Sequence, residues 1–200
     1  MMTTAIIDTS TANIASVRYA LERLDARYRL TETPDEAQDC DRIILPGVGA
    51  AGPAMKRLRE TGWAKALQTD QRPLLGVCLG MQLLFEYSVE SECELLGLIP
   101  GRIERLDPGA EGPWPHMGWN TLSQNSADEP LLAGVDEGAH VYFVHGFYAP
   151  VGAHTVASTQ YGPEITAIAR KGHVAGCQFH PERSAKTGAQ ILTNFIKGAA

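Results

Sequence analysis

The sequence predicts an α/β fold built on a mixed, mainly parallel β-sheet with flanking helices and an antiparallel portion in its second half. Short apolar runs alternate with helical patterns through the first half of the chain, which is typical of parallel strands covered by helices on both faces. The second half instead contains several short strands separated by Gly or Pro, which favours antiparallel pairing. The chain has 200 residues, a length that fits one domain with a substantial core.

Three apolar runs in the first half predict strands, at residues 5–8, 42–45 and 74–77. The second of these strands is expected to stop at Pro46-Gly47. Helices are predicted after the strands, around Ile14, Val17, Leu21 and Leu24, around Met55 and Leu58, and over residues 82–87. The apolar residues of the first helix recur at the three-to-four-residue spacing of an amphipathic helix.

In the second half, residues 101–120 are rich in Gly and Pro and predict loops with short strands. Four further strands are predicted from apolar and β-branched runs, at residues 141–144, 155–157, 166–168 and 174–179. A last helix is expected over residues 188–197, because its apolar side chains fall on one side.

Composition is that of an ordinary globular protein. Hydrophobic residues make up 44% and charged residues 20% of the sequence, and the formal net charge is -6. A mildly acidic protein has no general electrostatic attraction to nucleic acids or anionic membranes, and no apolar run reaches the length of a membrane span. The first residues lack the basic start and apolar stretch of a signal peptide. We therefore expect a cytoplasmic protein without nucleic-acid or membrane partners.

The four cysteines, Cys40, Cys78, Cys93 and Cys177, show neither a Cys-x-x-Cys pair nor a zinc-site spacing. In a reducing compartment they remain thiols, and three of them are interpreted as small apolar residues of the interior. Neither a metal nor another cofactor is expected. Only Cys78 has neighbours that indicate chemistry.

Residues 76–80 place Cys78 between two glycines, after an apolar strand and before a helix. This pattern is the thiol counterpart of the G-x-S-x-G nucleophile elbow, which needs small neighbours because chain segments approach closely. Such a thiol lies at the carboxyl end of a parallel sheet, where ligand crevices form. The helix N-terminus behind it favours a thiolate and offers N–H groups to an oxyanion. On this segment alone, a buried structural cysteine is an equally good interpretation.

Residues 178–182 supply the other groups that a cysteine nucleophile needs. His180 follows an apolar strand, and Glu182 lies two positions later. A base needs a third group to fix its tautomer, and Pro181 restricts the backbone so that the carboxylate could turn back to the imidazole. The alternatives are a strand-end histidine with a solvated glutamate, or a zinc site of the deaminase type. That zinc signature requires a downstream Pro-Cys-x-x-Cys, which does not follow Glu182 in the sequence.

Together, Gly-Val-Cys-Leu-Gly-Met-Gln at 76–82 and Gln-Phe-His-Pro-Glu at 178–182 resemble the class I, triad-type glutamine amidotransferases. The resemblance covers nearly the whole chain and implies a single amidotransferase domain over residues 1–200. It implies Cys78 as nucleophile, with His180 and Glu182 completing a triad that hydrolyses glutamine to glutamate and ammonia.

A narrower resemblance is to the glutaminase subunits of imidazole glycerol phosphate synthases, which act in histidine biosynthesis. It rests on four parts of the sequence, namely Pro-His-Met-Gly-Trp-Asn at 115–120, Tyr-Phe-Val-His at 142–145, Pro-Gly-Val-Gly at 46–49, and Asp8, Asn13 and Ser16-Val17. It implies a heterodimer with a cyclase subunit, a (β/α)8 barrel that uses the ammonia to form imidazole glycerol phosphate and an aminoimidazole carboxamide ribonucleotide. Such glutaminase subunits are often nearly inactive alone.

Further roles follow from the resemblance residue by residue. The oxyanion is expected to be held by backbone groups at Gly47, Val48, Gly49 and Leu79. Glutamine contacts are expected from Gln82, Glu90, His145, Gly146 and Phe147. The surface facing the partner is expected to include Asn13, Pro115, His116, Met117, Gly118, Trp119 and Asn120.

The sequence departs from the family pattern at three positions. Ala12 stands where glycine is frequent, and Gly146 and Phe147 replace the more usual Ser or Thr and Tyr. If the pocket uses backbone groups at these positions, Gly146 has little effect. If it uses a hydroxyl group, the affinity for glutamine is reduced.

Three other functions remain open at this level. The same chemistry could serve an aminobenzoate or anthranilate synthase, although residues 115–120 argue against it. A cysteine peptidase or related hydrolase on a similar sheet would need neither Gln82 nor the late His-Pro-Glu segment. A non-catalytic binding module would not need the complete Cys-His-Glu set.

Overall fold

The computed structural model describes residues 2–9, 14–126 and 128–198. The strands in this part of the chain are β1 (Thr3–Ile7), β2 (Arg27–Thr31), β3 (Arg42–Gly47), β4 (Leu74–Cys78), β5 (Tyr87–Ser88), β6 (Cys93–Glu94), β7 (Arg102–Arg105), β8 (His116–Thr121), β9 (Ser123–Gln124), β10 (His140–His145), β11 (Phe147–Tyr148), β12 (Thr155–Gln160), β13 (Glu164–Lys171) and β14 (Val174–Cys177). The helices are α1 (Ile14–Arg23), α2 (Ala51–Glu60), α3 (Trp63–Leu67), α4 (Leu79–Gln82) and α5 (Ala185–Lys197).

The main sheet has the strand order β2-β1-β3-β4-β14-β13-β12-β9. Its first five strands pair in parallel with one another, and the remaining pairings are antiparallel. The predicted mixed sheet, with its antiparallel portion in the second half, is therefore confirmed. Beside it, β8 pairs antiparallel with β10, and a smaller sheet has the order β11-β7-β5-β6.

Buried apolar side chains cover both faces of the main sheet, because successive side chains of a strand point to opposite sides. In β3, Ile43 and Leu45 pack in a cluster with α2 and α3, whereas Ile44 packs in a second cluster with α1 and α5. Among the described residues, no helix combines the length and the apolar character that crossing a lipid bilayer requires. With helices on both faces, the carboxyl ends of the parallel strands form the open edge where a site can be built.

The helix predicted over residues 82–87 is wrong. Helix α4 ends at Gln82, and the chain enters strand β5 at Tyr87. The carbonyl groups of residues 83–85 accept hydrogen bonds from the N–H groups of residues 96–98, over 2.7 to 3.0 Å. Pairing with this later segment therefore replaces the helical hydrogen bonds that a continued helix would have made.

Several element boundaries also differ from the predicted ones. Strand β3 continues through Pro46 and Gly47, because these residues still pair with β4, and β14 ends at Cys177 rather than at residue 179. Helix α5 begins three residues before the predicted start. Strand β2 was not predicted, because as an edge strand it has a mostly solvent-exposed, charged sequence without an apolar run.

Candidate active site

The turn between β4 and α4 holds Cys78 in a strained backbone conformation. Cys78 ends the strand, Leu79 begins the helix, and the Cys78 dihedral angles are φ 54° and ψ -113°, a region that non-glycine residues rarely adopt. The residue is 7% exposed. This geometry matches the strand–turn–helix that the sequence predicts for a nucleophile elbow.

Glycines on either side of Cys78 permit this turn. A Cβ atom on Gly80 would lie 1.7 Å from the carbonyl oxygen of Leu45, in the neighbouring strand β3. A Cβ atom on Gly76 would lie 2.6 Å from the carbonyl oxygen of Gly80. Both distances are far below van der Waals contact, so the close approach predicted for this segment excludes any side chain at the two positions.

His180 lies beside the Cys78 thiol because the strands that precede the two residues are neighbours. Strand β14 pairs in parallel with β4, with Cys177 opposite Val77, so their carboxyl ends meet at one edge of the sheet. Beyond that edge, the backbone N–H of His180 donates to the carbonyl oxygen of Tyr142 over 2.9 Å. The imidazole and the Cys78 thiol line the same cleft.

Glu182 fixes the orientation of the His180 ring. A 3-10 turn at Pro181–Arg183 folds the chain back, and Oε1 of Glu182 lies 2.8 Å from Nδ1 of His180. A carboxylate only accepts hydrogen bonds, so Nδ1 carries the proton and Nε2 is left for Cys78. His180 and Glu182 therefore form a hydrogen-bonded imidazole–carboxylate pair at the cleft that Cys78 also lines.

Electrostatics within this array favour a charged His180. Burial lowers the pKa of the imidazole, but hydrogen bonds to Cys78 and Glu182 and the negative charges of both groups outweigh burial and raise the pKa to about 10. A protonated His180 is the form that can donate a proton to a leaving group in the cleft.

A cleft of about 310 Å³ opens onto Cys78 and His180, a size typical of small-molecule sites. Residues predicted for the oxyanion loop or for glutamine contacts line this cleft, namely Val48, Gly49, Leu79, Gln82, Glu90, His145, Gly146 and Phe147. Trp114 and Val144, which the sequence did not predict, line it as well.

Gly47 differs from the other three residues predicted for the oxyanion because it is not part of the cleft lining. It pairs with Cys78 in the sheet, and a Cβ atom at this position would lie 2.9 Å from both the backbone nitrogen of Gly80 and the Cβ of Leu79. Gly47 thus permits close packing of β3 against the elbow. Gly49, by contrast, lines the cleft with φ 87°, a left-handed conformation that favours glycine.

Gln82 and Glu90 already have hydrogen-bond partners within the protein. Nε2 of Gln82 donates to the carbonyl oxygen of Phe147 over 2.8 Å and to Oε1 of Gln178 over 3.0 Å. Its amide nitrogen has only two protons, so Gln82 has only its carbonyl oxygen left to offer a ligand. Oε2 of Glu90 accepts the N–H of Ala51 over 3.1 Å.

Trp114 takes the space above Gly146. The indole Nε1 donates to the carbonyl oxygen of Gly146 over 3.0 Å, and a Cβ atom on Gly146 would lie 2.5 Å from Cζ2 of the ring. The guanidinium of Arg105 lies 5.1 Å from the centre of the indole, which adds a cation–π contact. Because position 146 is glycine rather than the more usual Ser or Thr, the Trp114 ring has room to form one wall of the cleft.

Residues 115–120 alternate between the surface and the interior, since His116–Thr121 is strand β8. Met117 is 63% and Trp119 53% exposed, whereas His116 is only 3% exposed. The prediction that His116 belongs to the partner-facing surface therefore does not hold for its side chain, which stacks between Phe143 and Tyr161. Asn13, also predicted for that surface, lies outside the described residues.

Of the missed cleft residues, Trp114 had a usable sequence signal. Trp114 directly precedes the 115–120 segment, and Gly146 stands where the family usually has Ser or Thr. This combination indicates that a large side chain fills the space left beside Gly146. Nothing in the sequence indicated that Val144 would line the cleft, because it is an ordinary apolar residue of a predicted strand. No group of three or more His, Cys, Asp or Glu residues suited to a metal ion occurs in the described part of the chain.

Comparison with known proteins agrees with the geometry of the site. The family model for glutamine amidotransferase class-I matches residues 5–199. The chain is 52% identical over 197 residues to the imidazole glycerol phosphate synthase subunit HisH of Xanthomonas axonopodis pv. citri (strain 306), covering 98% of both chains. It is 50% identical to the HisH subunit of Xylella fastidiosa (strain Temecula1 / ATCC 700964), again over 98% of both chains.

Solved structures show the same fold at low sequence identity. The structure described as PurLQS from Thermotoga maritima matches with a TM-score of 0.75 and 19% identity, over 98% of both chains. A crystal structure of a glutamine amidotransferase matches with a TM-score of 0.73 and 19% identity, also over 98% of both. At this identity the two structures support the fold alone. The family match over nearly the whole chain shows that the protein belongs to the class-I glutamine amidotransferases.

Proposed function

We propose that this chain is the glutaminase subunit of an imidazole glycerol phosphate synthase and acts in histidine biosynthesis. It hydrolyses the side-chain amide of glutamine and supplies the ammonia to a cyclase subunit. The observation that carries the reaction is the array of the Cys78 thiol, the His180 imidazole and the Glu182 carboxylate at the cleft. The pathway is supported by relatives at about 50% identity over nearly the full chain.

The first half of the reaction transfers the glutamyl group to Cys78. The thiolate attacks the carboxamide carbon of glutamine, and the carbonyl oxygen becomes an oxyanion that accepts hydrogen bonds from backbone N–H groups at Gly49 and Leu79. The His180 imidazolium donates its Nε2 proton to the nitrogen of the leaving group. The carbon–nitrogen bond breaks, ammonia leaves, and a glutamyl thioester remains on Cys78.

The second half regenerates the enzyme. Neutral His180 accepts a proton from a water molecule, whose oxygen attacks the thioester carbon. Glutamate is released, the sulfur leaves as a thiolate, and His180 is again an imidazolium. Glu182 keeps Nδ1 protonated throughout and stabilises the positive charge of the ring.

Glutamine binds in the cleft with its amide at Cys78 and its α-amino group at Glu90. Glu90 is the acidic residue of the cleft lining, and a carboxylate is the natural partner of an α-ammonium group. The oxygen of Gln82 and the backbone of residues 145–147 complete the contacts. This arrangement does not require a hydroxyl group at position 146.

The partner subunit docks on the face that exposes Met117 and Trp119. Exposed Met and Trp side chains on one strand are typical of protein–protein contact surfaces. Free ammonia would be protonated and lost in solvent, so a dedicated acceptor is expected, and the cyclase subunit of a heterodimer fills this role. The complex, with one amidotransferase domain over residues 1–200, is proposed to act in the cytoplasm.

Replacing the nucleophile in the assembled complex tests this function. In Cys78→Ala, we expect glutamine-dependent synthesis to disappear while ammonia-dependent synthesis by the cyclase continues. Cys93→Ala is the matched control, because Cys93 is a free thiol outside the cleft and should leave both activities intact. Glutamine hydrolysis retained by Cys78→Ala would contradict the proposal, and wild-type activity unaffected by the cyclase and its nucleotide would favour another partner.

A further inference from the structure

Two buried histidines connect the exposed strand β8 with the glutamine cleft. Nδ1 of His116 lies 3.0 Å from Nε2 of His145, and Nδ1 of His145 lies 2.9 Å from the carbonyl oxygen of Phe147. At the other end, Nδ2 of Asn120 lies 3.5 Å from Nε2 of His116. These groups, from Asn120 through His116 and His145 to the Phe147 carbonyl, are called the histidine relay.

Both ends of the histidine relay fix its direction. The Phe147 carbonyl can only accept, so Nδ1 of His145 is protonated and its Nε2 accepts from Nδ1 of His116. His116 is then left with Nε2 as an acceptor, which requires a donor from Asn120. Asn120 presents that donor, because its Oδ1 accepts the N–H of Thr121 over 2.8 Å and its Nδ2 also donates to Gln160 over 2.9 Å. The contacts at the two ends of the relay therefore require the same tautomers of His116 and His145.

The two rings stay neutral in this arrangement. Burial lowers the pKa of His116 to about 4. Burial also lowers the pKa of His145, to about 3. The hydrogen bond to the Phe147 carbonyl raises this pKa slightly, and the nearby His116 and His180 lower it further. A proton added to either ring would place two donors face to face, so the relay has one allowed hydrogen-bond pattern at neutral pH.

The inner end of the histidine relay reaches the reacting thiol. The Phe147 carbonyl also accepts from Gln82, whose amide nitrogen donates in turn to Oε1 of Gln178. Nε2 of Gln178 lies 4.0 Å from Sγ of Cys78. A displacement of the Phe147 carbonyl would therefore shift Gln82, which lines the cleft, and Gln178, which lies next to Cys78.

The outer end lies on the strand that carries Met117 and Trp119. His116 pairs with His145 across β8 and β10, and the side chains alternate along β8, so the partner-facing residues and the relay occupy opposite faces of the same strand. A shift of β8 caused by contact on its outer face moves His116 on its inner face.

We propose that His116 and His145 are positioning residues that transmit the position of β8 to the Phe147 carbonyl and to Gln82, so that docking of the cyclase subunit orders the glutamine site. The inference rests on the proposed function, since it requires the partner to contact β8. Neither histidine takes part in the chemistry. The relay acts by setting where the Phe147 carbonyl points.

Two substitutions at one position separate the hydrogen bond from ring packing. His116→Phe keeps a ring between Phe143 and Tyr161 but removes both ring nitrogens, whereas His116→Asn loses the stacking and keeps a donor near Nδ1. The stimulation of kcat/KM for glutamine by the cyclase and its nucleotide is measured for each. We expect the stimulation to fall about tenfold in His116→Phe, the scale of energetic coupling between sites, and to stay within about threefold of wild type in His116→Asn.

Titration of each variant with the cyclase subunit measures the affinity of the complex. Affinity should match wild type in both, since His116 is not on the surface, and weakened assembly would show that the residue acts in docking and overturn the proposal. Wild-type stimulation in His116→Phe, or equal loss in both variants, overturns it too. If His116→Phe does not fold, His145→Asn, which keeps a donor to Phe147 and cuts the link to His116, must show the loss of stimulation.

The proposed function and the histidine relay fail in distinguishable ways. If wild type is not stimulated by the cyclase, or if Cys78→Ala still hydrolyses glutamine, the proposed function is wrong. If wild type is stimulated and Cys78→Ala is inactive, but His116→Phe behaves as wild type, only the relay is wrong.

Discussion

The indole of Trp114 occupies the space that a side chain at position 146 would need. An ideal Cβ atom on Gly146 falls 2.5 Å from Cζ2 of Trp114, and the indole N–H is bound to the carbonyl oxygen of Gly146 itself. The two residues therefore form one unit in the wall of the cleft. The hydroxyl group that many family members carry at this position cannot be restored here without moving the tryptophan.

Gly146→Ser should accordingly weaken glutamine binding rather than improve it. We expect KM for glutamine to rise roughly tenfold with a smaller change in kcat, since overpacking typically costs about 1–3 kcal/mol and about 1.4 kcal/mol is a factor of ten. Steady-state kinetics of the complex measure this. The double variant Trp114→Ala, Gly146→Ser removes the clash and should regain most of the loss, whereas additive effects of the two changes would contradict the pairing.

Gly80→Ala should prevent the elbow from forming. Its Cβ atom would meet the Leu45 carbonyl oxygen at 1.7 Å, which only a displacement of β3 or α4 could relieve, so we expect a loss of at least about 3 kcal/mol in the free energy of unfolding. Urea unfolding measures this. The control is Gly52→Ala within α2, where the nearest atom would be the Ser91 Cβ at 3.2 Å, and equal stability of the two variants would contradict the prediction.

Glu90→Gln should separate the charge of Glu90 from its structural contact. The new amide oxygen can still accept the Ala51 N–H, but it no longer pairs with an ammonium group. We expect KM for glutamine to increase about 10-fold or more with kcat nearly unchanged, because hydrogen bonds to charged groups contribute about 1.5–3 kcal/mol. Glu86→Gln, whose carboxylate binds the Gly101 N–H at the surface, serves as control. An unchanged KM in Glu90→Gln would remove Glu90 from the binding site.

His180 should stabilise the fold most strongly below neutral pH. In the folded protein its pKa is raised from 6.5 to about 10, so folding tightens proton binding. This contribution is complete below pH 6.5 and is lost as the pH rises towards 10. Urea unfolding of wild type and His180→Asn should therefore give a difference in stability that is largest near the acid end of this range and shrinks towards the alkaline end. A difference that grows with pH would contradict the assigned charge state.

The parts of the site that depend on local chain geometry were predictable from the sequence. Gly76 and Gly80 identify the elbow because no other residue permits the contacts they make, and Pro181 between His180 and Glu182 predicts the return of the carboxylate to the ring. Parallel pairing of β4 and β14 then brings the two segments together. That pairing was not itself predicted, because the strand at 174–179 was assigned to the antiparallel second half of the chain.

Features that depend on distant segments were not predictable in the same way. The apolar residues after Gln82 suit a helix as well as an irregular segment, and only pairing with residues 96–98 decides between them. The position of Trp114 depends on the empty space above Gly146. His116 was assigned to the surface as one member of a motif, although period-two alternation along β8 turns its side chain inward while Met117 and Trp119 face outward.

The proposed reaction requires a covalent glutamyl intermediate at Cys78. Acid quenching of the complex during turnover with glutamine, followed by mass spectrometry of its peptides, measures this intermediate. We expect the peptide containing Cys78 to carry the mass of glutamine less ammonia, and Cys40, Cys93 and Cys177 to carry no such addition. Turnover without an adduct on Cys78, or with an adduct on another cysteine, would contradict it.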